Sequence, residues 1–273
     1  MNSIRKLLQK NKEALIMGVL NVTPDSFSDG GKFITPNTAL QHVDMMITNG
    51  ADIIDIGAES TRPGAKIVPV SEERKRIEPV VKAIKKNFNI PISIDTYKPE
   101  IMELSIDLGV EMINDIYALR KPGALDIVAN SDVMLCLMHM KGTPKDMQNK
   151  PSYKNIMNEV SQFLQERIYA CGAAGINQSR LVIDPGFGFG KTHENNLKLF
   201  QSLGELRISS IPLLVGVSRK SMVRNIIGDE ENDIIQTSAI MAALSVLRGA
   251  KIVRVHDVIE TKNALKILQL KDY

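Results

Sequence analysis

The chain has 273 residues, 44% of them apolar and 24% charged, which supplies a full core and excludes a disordered or fibrous protein. Its formal net charge of +3 is small and its Lys and Arg residues are dispersed, so the clustered basic face of a nucleic-acid binder is absent. No apolar run reaches bilayer-spanning length, and the basic opening MNSIRKLLQKNKEAL lacks the apolar core of a signal peptide. Cys136 and Cys171 lie in apolar or helical contexts without metal-ligand spacing, which suits buried thiols in a reducing compartment. A cytoplasmic enzyme or binding protein with no membrane partner is expected.

Residues 14–22 form an apolar run of strand length that reaches Asn21 and opens into a Pro-, Ser-, Asp- and Gly-rich segment. Pro24 removes a backbone donor and Gly30-Gly31 punctuates the chain, so a mobile loop is expected there, with Phe27 as an apolar residue in polar surroundings. Helical spacing over 38–48 stops at Asn49-Gly50, and 51–57 is a second strand that runs into Glu59-Ser60-Thr61-Arg62-Pro63-Gly64. The next helix, 71 to about 86, has acids in its first turn and lysines in its last, as the helix dipole favours. Strands are expected at 91–96, 111–116, 133–139, 180–186, 212–218 and 251–257. Helical segments follow them at 99–108, 124–129, 152–174, 194–202, 234–247 and 258–268.

Eight short, continuously apolar strands that alternate with helices indicate a parallel sheet covered on both faces. That number of βα units in a chain of this length fits a closed (β/α)₈ TIM barrel, one domain over residues 1–273. A doubly wound open sheet would gather its ligand residues at one switch point, whereas here the polar strand ends are spread over all the units.

Strand side chains repeat with period two, so Arg254 and His256 share one side of the last strand. Two potential cations there call for an anionic ligand or acidic partners. The clusters Ser218-Arg219-Lys220 and Arg254-Val255-His256 sit where barrels often hold phosphate. Asn21, Asp55, Asp95, Asn114 and Asp184 end other strands, a set suited to a ligand rich in N–H donors or to Mg²⁺ with bridging phosphates. Gly190-Lys191-Thr192 ends like a Walker loop, but Pro185 stands where that pattern needs glycine, so Phe187 and Phe189 are expected instead to form flat walls for a planar ligand. His139 reads either as a core imidazole or as a strand-end ligand, and Met138 or Met140 could touch a planar ring.

With these residues in hand, the chain resembles the dihydropteroate synthases, the folate-pathway transferases that sulfonamides target. The likeness covers essentially the whole chain. It rests on GVLNVTPDSFSDGG at 18–31, DIIDIGAESTRPGA at 52–65, SIDTYKP at 93–99, INDI at 113–116, MHMKGTP at 138–144, IDPGFGFGK at 183–191, GVSRKSM at 216–222 and GAKIVRVHDV at 249–258. The resemblance implies condensation of 4-aminobenzoate with a dihydropterin diphosphate, with Mg²⁺ required. It implies a pterin site of Asp95, Asn114, Asp184 and Lys220, with Ile116, Met138, Phe189 and Gly216 around the ring. Diphosphate and metal would meet Asn21, Thr61, Arg62, Arg254 and His256, with Asn21 on the metal. The aminobenzoate would lie among Phe27, Thr61, Pro63, Gly188, Phe189 and Ser218. Asp95, Lys220, Arg254 and His256 would carry the chemistry, Asp55 would support the loops or the pterin, and the molecule would be a homodimer. Methyltetrahydrofolate methyltransferases would share the Asp–Asn–Asp ring but would not need the diphosphate cluster. A non-catalytic binding scaffold would be expected to have lost strand-end residues that are all present.

Overall fold

Eight parallel strands pair in chain order, and the first closes on the last. They are β1 (Leu15–Asn21), β2 (Ile53–Gly57), β3 (Ile92–Asp95), β4 (Met112–Asp115), β5 (Met134–Met138), β6 (Leu181–Asp184), β7 (Leu213–Val215) and β8 (Ala250–Val255). The computed structural model describes residues 2–11, 13–23, 35–61, 64–206, 208 and 210–269. Helix α1 (Ser3–Lys10) precedes the barrel. Outside it run α2 (Pro36–Asn49), α3 (Val70–Asn87), α4 (Pro99–Asp107), α5 (Ala124–Ala129), α6 (Ile156–Ala173), α7 (His193–Gln201), α8 (Ser221–Ile227), α9 (Glu231–Leu247) and α10 (Val258–Gln269). The expected (β/α)₈ barrel is therefore the fold that forms.

Local chemistry sets the element ends. Thr35 caps α2 by accepting from the Thr38 amide at 3.3 Å, Pro36 occupies its first turn, and Gly50 stops it at φ 102°. The strands are shorter than the apolar runs suggest. β7 keeps three residues, because β6 pairs with it only at Ile183↔Leu213 and its register to β8 shifts between Leu213 and Leu214. Gly216 and Ser218 thus belong to the loop after β7. Two helices escaped the sequence reading. One is the short α8, and the other is α1, which Asn2 caps by accepting from the Ile4 amide at 3.0 Å.

The strand period sorts the core into two layers. Ile16, Leu20, Ile54, Ile56, Ile94, Ile113, Leu135, Ile183 and Val253 face outward and pack beneath the helices. Leu15, Met17, Ile53, Met112, Met134, Cys136, Val182, Leu214 and Ile252 fill the barrel interior, and Ile4 of α1 packs with them as a plug. Each such side chain contributes roughly 1.5–3 kcal/mol by leaving water.

Two residues further along four of the strands, the interior changes character. Ile53 is followed by Asp55, Met112 by Asn114, Val182 by Asp184 and Ile252 by Arg254. The barrel is an apolar plug with a polar layer on top, at the C-terminal ends of the strands.

Candidate active site

Four strands meet in the polar layer. Arg254 donates from Nε to Asp55 Oδ2 at 2.6 Å and from Nη2 to Asp95 Oδ2 at 2.9 Å. Asn114 Nδ2 donates to the same Asp55 oxygen at 3.3 Å. Asp55 is fully buried, and its Oδ1 has no partner among the described residues; nor has Ser93 Oγ, its neighbour in register. Burial pushes Asp95 up to about 7, with Arg254 opposing and Asp55 adding to the rise. Burial alone would weaken the Arg254 cation, but Asp55 and Asp95 more than reverse that effect and raise it above its ordinary value. Asn21 and Gly57 complete the row, since register pairs Asn21 with Gly57 and Gly57 with Asp95.

The opposite wall comes from β6 and the loop after β7. Asp184 Oδ1 accepts from the Gly186 amide at 2.7 Å, and burial raises the carboxyl while the Lys220 cation opposes. Lys220 Nζ donates to the Phe187 carbonyl at 2.6 Å and lies 4.9 Å from the centre of the Phe189 ring. Burial lowers this ammonium to about 8, against the pull of Asp184. Ile116, Met138, Met140 and Met147 form an apolar cluster with Tyr97, Tyr117 and Phe189 packed on it. These acceptors and apolar faces are the chemistry that a planar ring with N–H donors on its edge calls for. Gly188 lies beside Lys220, where an added Cβ would sit 3.4 Å from its Cδ, and one on Gly216 would touch Arg254 Cβ at 3.6 Å.

At the rim, the Ser218 hydroxyl lies 3.0 Å from His256 Nδ1 and accepts from the His256 amide at 3.2 Å. Desolvation and the Arg254 and Arg219 cations push this imidazole below its ordinary value, although the residue still reaches solvent. It is a neutral donor and acceptor at the mouth. Arg219 leaves the expected basic cluster: at φ 57° it turns to Asp257 and pairs through both Nε (2.9 Å) and Nη2 (2.5 Å). Phe187 also departs from expectation. Its side chain is fully buried against Phe200 in the outer core, so only its carbonyl serves the mouth, and Phe189 alone of the two supplies a wall. Thr61 is half-buried at the end of its described stretch. Phe27, Arg62 and Pro63 lie outside the described residues.

A buried clamp holds the loop after β2, which sequence reasoning missed. Lys98 Nζ binds Glu59 at 2.5 Å, the Val68 carbonyl at 2.7 Å, and Glu73. The Val68 amide and the Tyr97 hydroxyl donate to Glu59 at 2.8 and 2.7 Å, and Thr96 Oγ1 donates to Glu73 at 2.9 Å. One lysine three residues after Asp95 therefore ties both ends of the loop that carries Thr61. Its signal in the sequence was a lysine placed just before a helix, which is indistinguishable from a solvated one.

This constellation can now be set beside known proteins. The family model described as "Pterin binding enzyme" matches residues 17–256. The dihydropteroate synthase of Escherichia coli (strain K12) is 46% identical over 254 residues, covering 93% of this chain and 90% of that protein. The chain belongs to the pterin-binding enzymes, in the dihydropteroate synthase group. Among solved structures, Yersinia pestis dihydropteroate synthase with a sulfonamide drug complex superposes with a TM-score of 0.91 at 45% identity, covering 95% of this chain and 94% of that one. Xanthomonas albilineans dihydropteroate synthase with 4-aminobenzoic acid gives 0.90 at 45% identity, covering 96% and 94%.

The clamp makes a testable claim about the scaffold. Lys98→Met leaves Glu73 and Glu59 buried beside each other without their cation, at an expected loss of about 3–5 kcal/mol at neutral pH. Burial already raises the Glu73 carboxyl, with Lys98 opposing, and removing Lys98 raises it further. The loss should therefore shrink as pH falls through the raised Glu73 range and be largely gone by about pH 4–5, where the unfolded carboxyls also carry protons. Denaturant melts of both chains across that range measure it.

Proposed function

We propose that this chain condenses a 7,8-dihydropterin bearing a 6-hydroxymethyl diphosphate with 4-aminobenzoate, yielding 7,8-dihydropteroate and diphosphate. The observation that carries the reading is the set of acceptors Asp55, Asp95, Asn114 and Asp184 gathered with Lys220 and Phe189 in one barrel mouth. A pterin edge offers amide and amino N–H groups to those acceptors, and its face meets the aromatic and thioether side chains.

The reaction breaks the bond between the pterin methylene and the diphosphate oxygen, and the electron pair leaves with diphosphate. The methylene cation that remains is conjugated with the dihydropterin ring. Asp95, which titrates near neutrality, supplies a carboxylate beside that charge. The arylamine nitrogen then forms the new C–N bond and loses a proton, so no serine or cysteine nucleophile is needed. His256, Asn21, Thr61 and Arg62 are assigned to the diphosphate. Arg254 holds Asp55 and Asp95 with two of its nitrogens and is assigned to the leaving group through the third. Phe27, Thr61, Pro63, Gly188, Phe189 and Ser218 are assigned to 4-aminobenzoate.

Among the described residues no three carboxylate, imidazole or thiolate side chains converge as a metal site. The single amide oxygen of Asn21 fits Mg²⁺, which takes most of its ligands from phosphate and water. When bound there it would neutralise diphosphate charge. Two buried free thiols, Cys136 and Cys171, suit a reducing cytoplasmic setting. Among the described residues no helix is long and apolar enough to cross a membrane.

A homodimer through the late helices is part of the same reading. Ile226 of α8 and Ile240 and Leu247 of α9 are 50%, 56% and 47% exposed, a spacing that lines one face of α9 with apolar side chains. Sedimentation should give a dimer for the native chain and a monomer for Ile240→Asp; a monomeric native chain rules it out.

The central test is diphosphate release by the purified chain. It should require 4-aminobenzoate, stop with EDTA and resume with Mg²⁺; a folded chain that releases none removes the reading. A finer test separates Arg254 of β8 from His256 just beyond it. Arg254→Ala strips Asp55 and Asp95 of their cation and should weaken binding of the pterin with or without its phosphates, by about tenfold or more. His256→Ala should weaken the diphosphate form and leave the phosphate-free pterin within about twofold, as expected for a rim contact. Isothermal titration of each variant with both ligands reads the difference.

A further inference from the structure

The Gly-rich loop after β6 ends in a lysine that the proposed chemistry does not use. Lys191 is 3% exposed, and its ammonium donates to the Gly186 carbonyl at 2.7 Å and the Phe189 carbonyl at 3.1 Å, with His139 Nδ1 at 2.9 Å. An ammonium has three hydrogens and no lone pair, so these three acceptors satisfy it completely. It also fixes the imidazole: Nδ1 must accept, which puts the ring proton on Nε2. Burial, then the Lys191 cation, pushes His139 down to about 2, so the ring stays neutral. His139 is held in turn against Phe163, with ring centres 5.0 Å apart, and its amide donates to the Asp184 carbonyl at 2.9 Å.

The two carbonyls that Lys191 grips bracket the residues that face the mouth. Between Gly186 and Phe189 lie the Phe187 carbonyl, which takes the Lys220 hydrogen bond, and Gly188 beside the Lys220 stem. Gly186 has φ +66°, and a Cβ there would fall 1.9 Å from the His139 carbonyl, so the loop is pressed onto the end of β5. From outside, Tyr153 donates to the Gly190 carbonyl at 2.7 Å and Asn196 accepts from the Gly188 amide at 2.8 Å. The loop is pinned from both sides, and its inner pin is the Lys191 ammonium, which burial pulls well below its ordinary value while Asp184 opposes.

We propose that Lys191 is a positioning residue for 4-aminobenzoate: its ammonium folds the 186–190 loop so that the Phe189 ring and the Phe187 carbonyl hold Lys220 and the arylamine subsite in register. The proposal rests on the synthase reading above. It also accounts for the lysine that imitates a Walker loop. Its charge faces inward to peptide carbonyls and not outward to a phosphate.

The test compares the native chain, Lys191→Met and Lys191→Gln in steady-state assays with Mg²⁺, both substrates varied, together with thermal melts. Lys191→Met leaves three buried acceptors without donors, and the folded variant should show a KM for 4-aminobenzoate raised about tenfold or more with a smaller change in kcat. Lys191→Gln keeps two hydrogens without the charge and should fall between. A lowered melting temperature with the KM for 4-aminobenzoate within about twofold of native in the folded fraction would reduce Lys191 to a structural role and overturn the proposal. The native chain supplies a check that does not depend on variant folding: nitrogen NMR of His139 should show Nε2–H and a bare Nδ1 between pH 5 and 8, roughly the range in which a free imidazole titrates. A proton on Nδ1 would also overturn it. An inactive native chain would sink the synthase reading instead, so the two failures are distinguishable.

Discussion

One guanidinium holds the barrel mouth together. Arg254 reaches from β8 across the interior to Asp55 on β2 and Asp95 on β3, so three strands that are distant in sequence share one charge-assisted junction. Two carboxylates this close repel one another, and the shared cation offsets that repulsion. Asp184 adds a third acid, opposed chiefly by the Lys220 cation, while burial pulls Lys191 well below its ordinary value. That balance lets an interior region carry charge at all. It also explains why the apolar layer beneath must be so complete, since water entering from the α1 end would screen every one of these interactions.

The loops that complete the mouth obey a common rule. Each is fixed by a charged group drawn from the chain close to the residue that it positions. Lys98, three residues beyond Asp95, gathers Glu59, Glu73 and the Val68 carbonyl. Lys191, seven residues beyond Asp184, gathers two carbonyls and an imidazole. Arg219, adjacent to Lys220, locks onto Asp257, adjacent to His256. Loops built this way keep geometry that backbone pairing cannot provide, because the strands stop at the rim. Truncating any of these groups exposes the partner to a desolvation penalty, so the rigidity depends on each pair staying intact.

The sequence carried the barrel plainly, because eight apolar runs with helices between them leave few other architectures. It carried the strand-end residues as well, since Asp55, Asp95, Asn114 and Asp184 interrupt apolar runs at one end. What it did not carry were partnerships across distance. Arg254 read as a phosphate ligand, and nothing local shows that two of its nitrogens are already engaged by residues 199 and 159 positions away. Phe187 and Phe189 looked equivalent at a spacing of two. The loop after β6 breaks strand geometry at Gly186, and the two rings part, one into the outer core and one to the mouth. Lys191 read only as the end of a discounted Walker-like run and Lys98 carried no signal of its own, because burial of a long side chain depends on what folds over it.

Hydrogen-bond satisfaction separates scaffold from ligand surface here. Lys191 uses every hydrogen it has, and Glu59 accepts from a lysine, a tyrosine and an amide. Groups so completely matched have nothing left to offer a ligand. Asp55 Oδ1 and Ser93 Oγ are the reverse: buried, adjacent in register, and without a partner among the described residues. A buried polar atom left unmatched costs about 1–3 kcal/mol, so this pair is a place where a water or a ligand donor would be favoured. A ligand bringing N–H donors to this floor would relieve that cost on binding and would do so only if its donors matched the spacing. Such a floor would favour a heterocycle with several N–H groups on one edge over an equally flat, purely apolar ring.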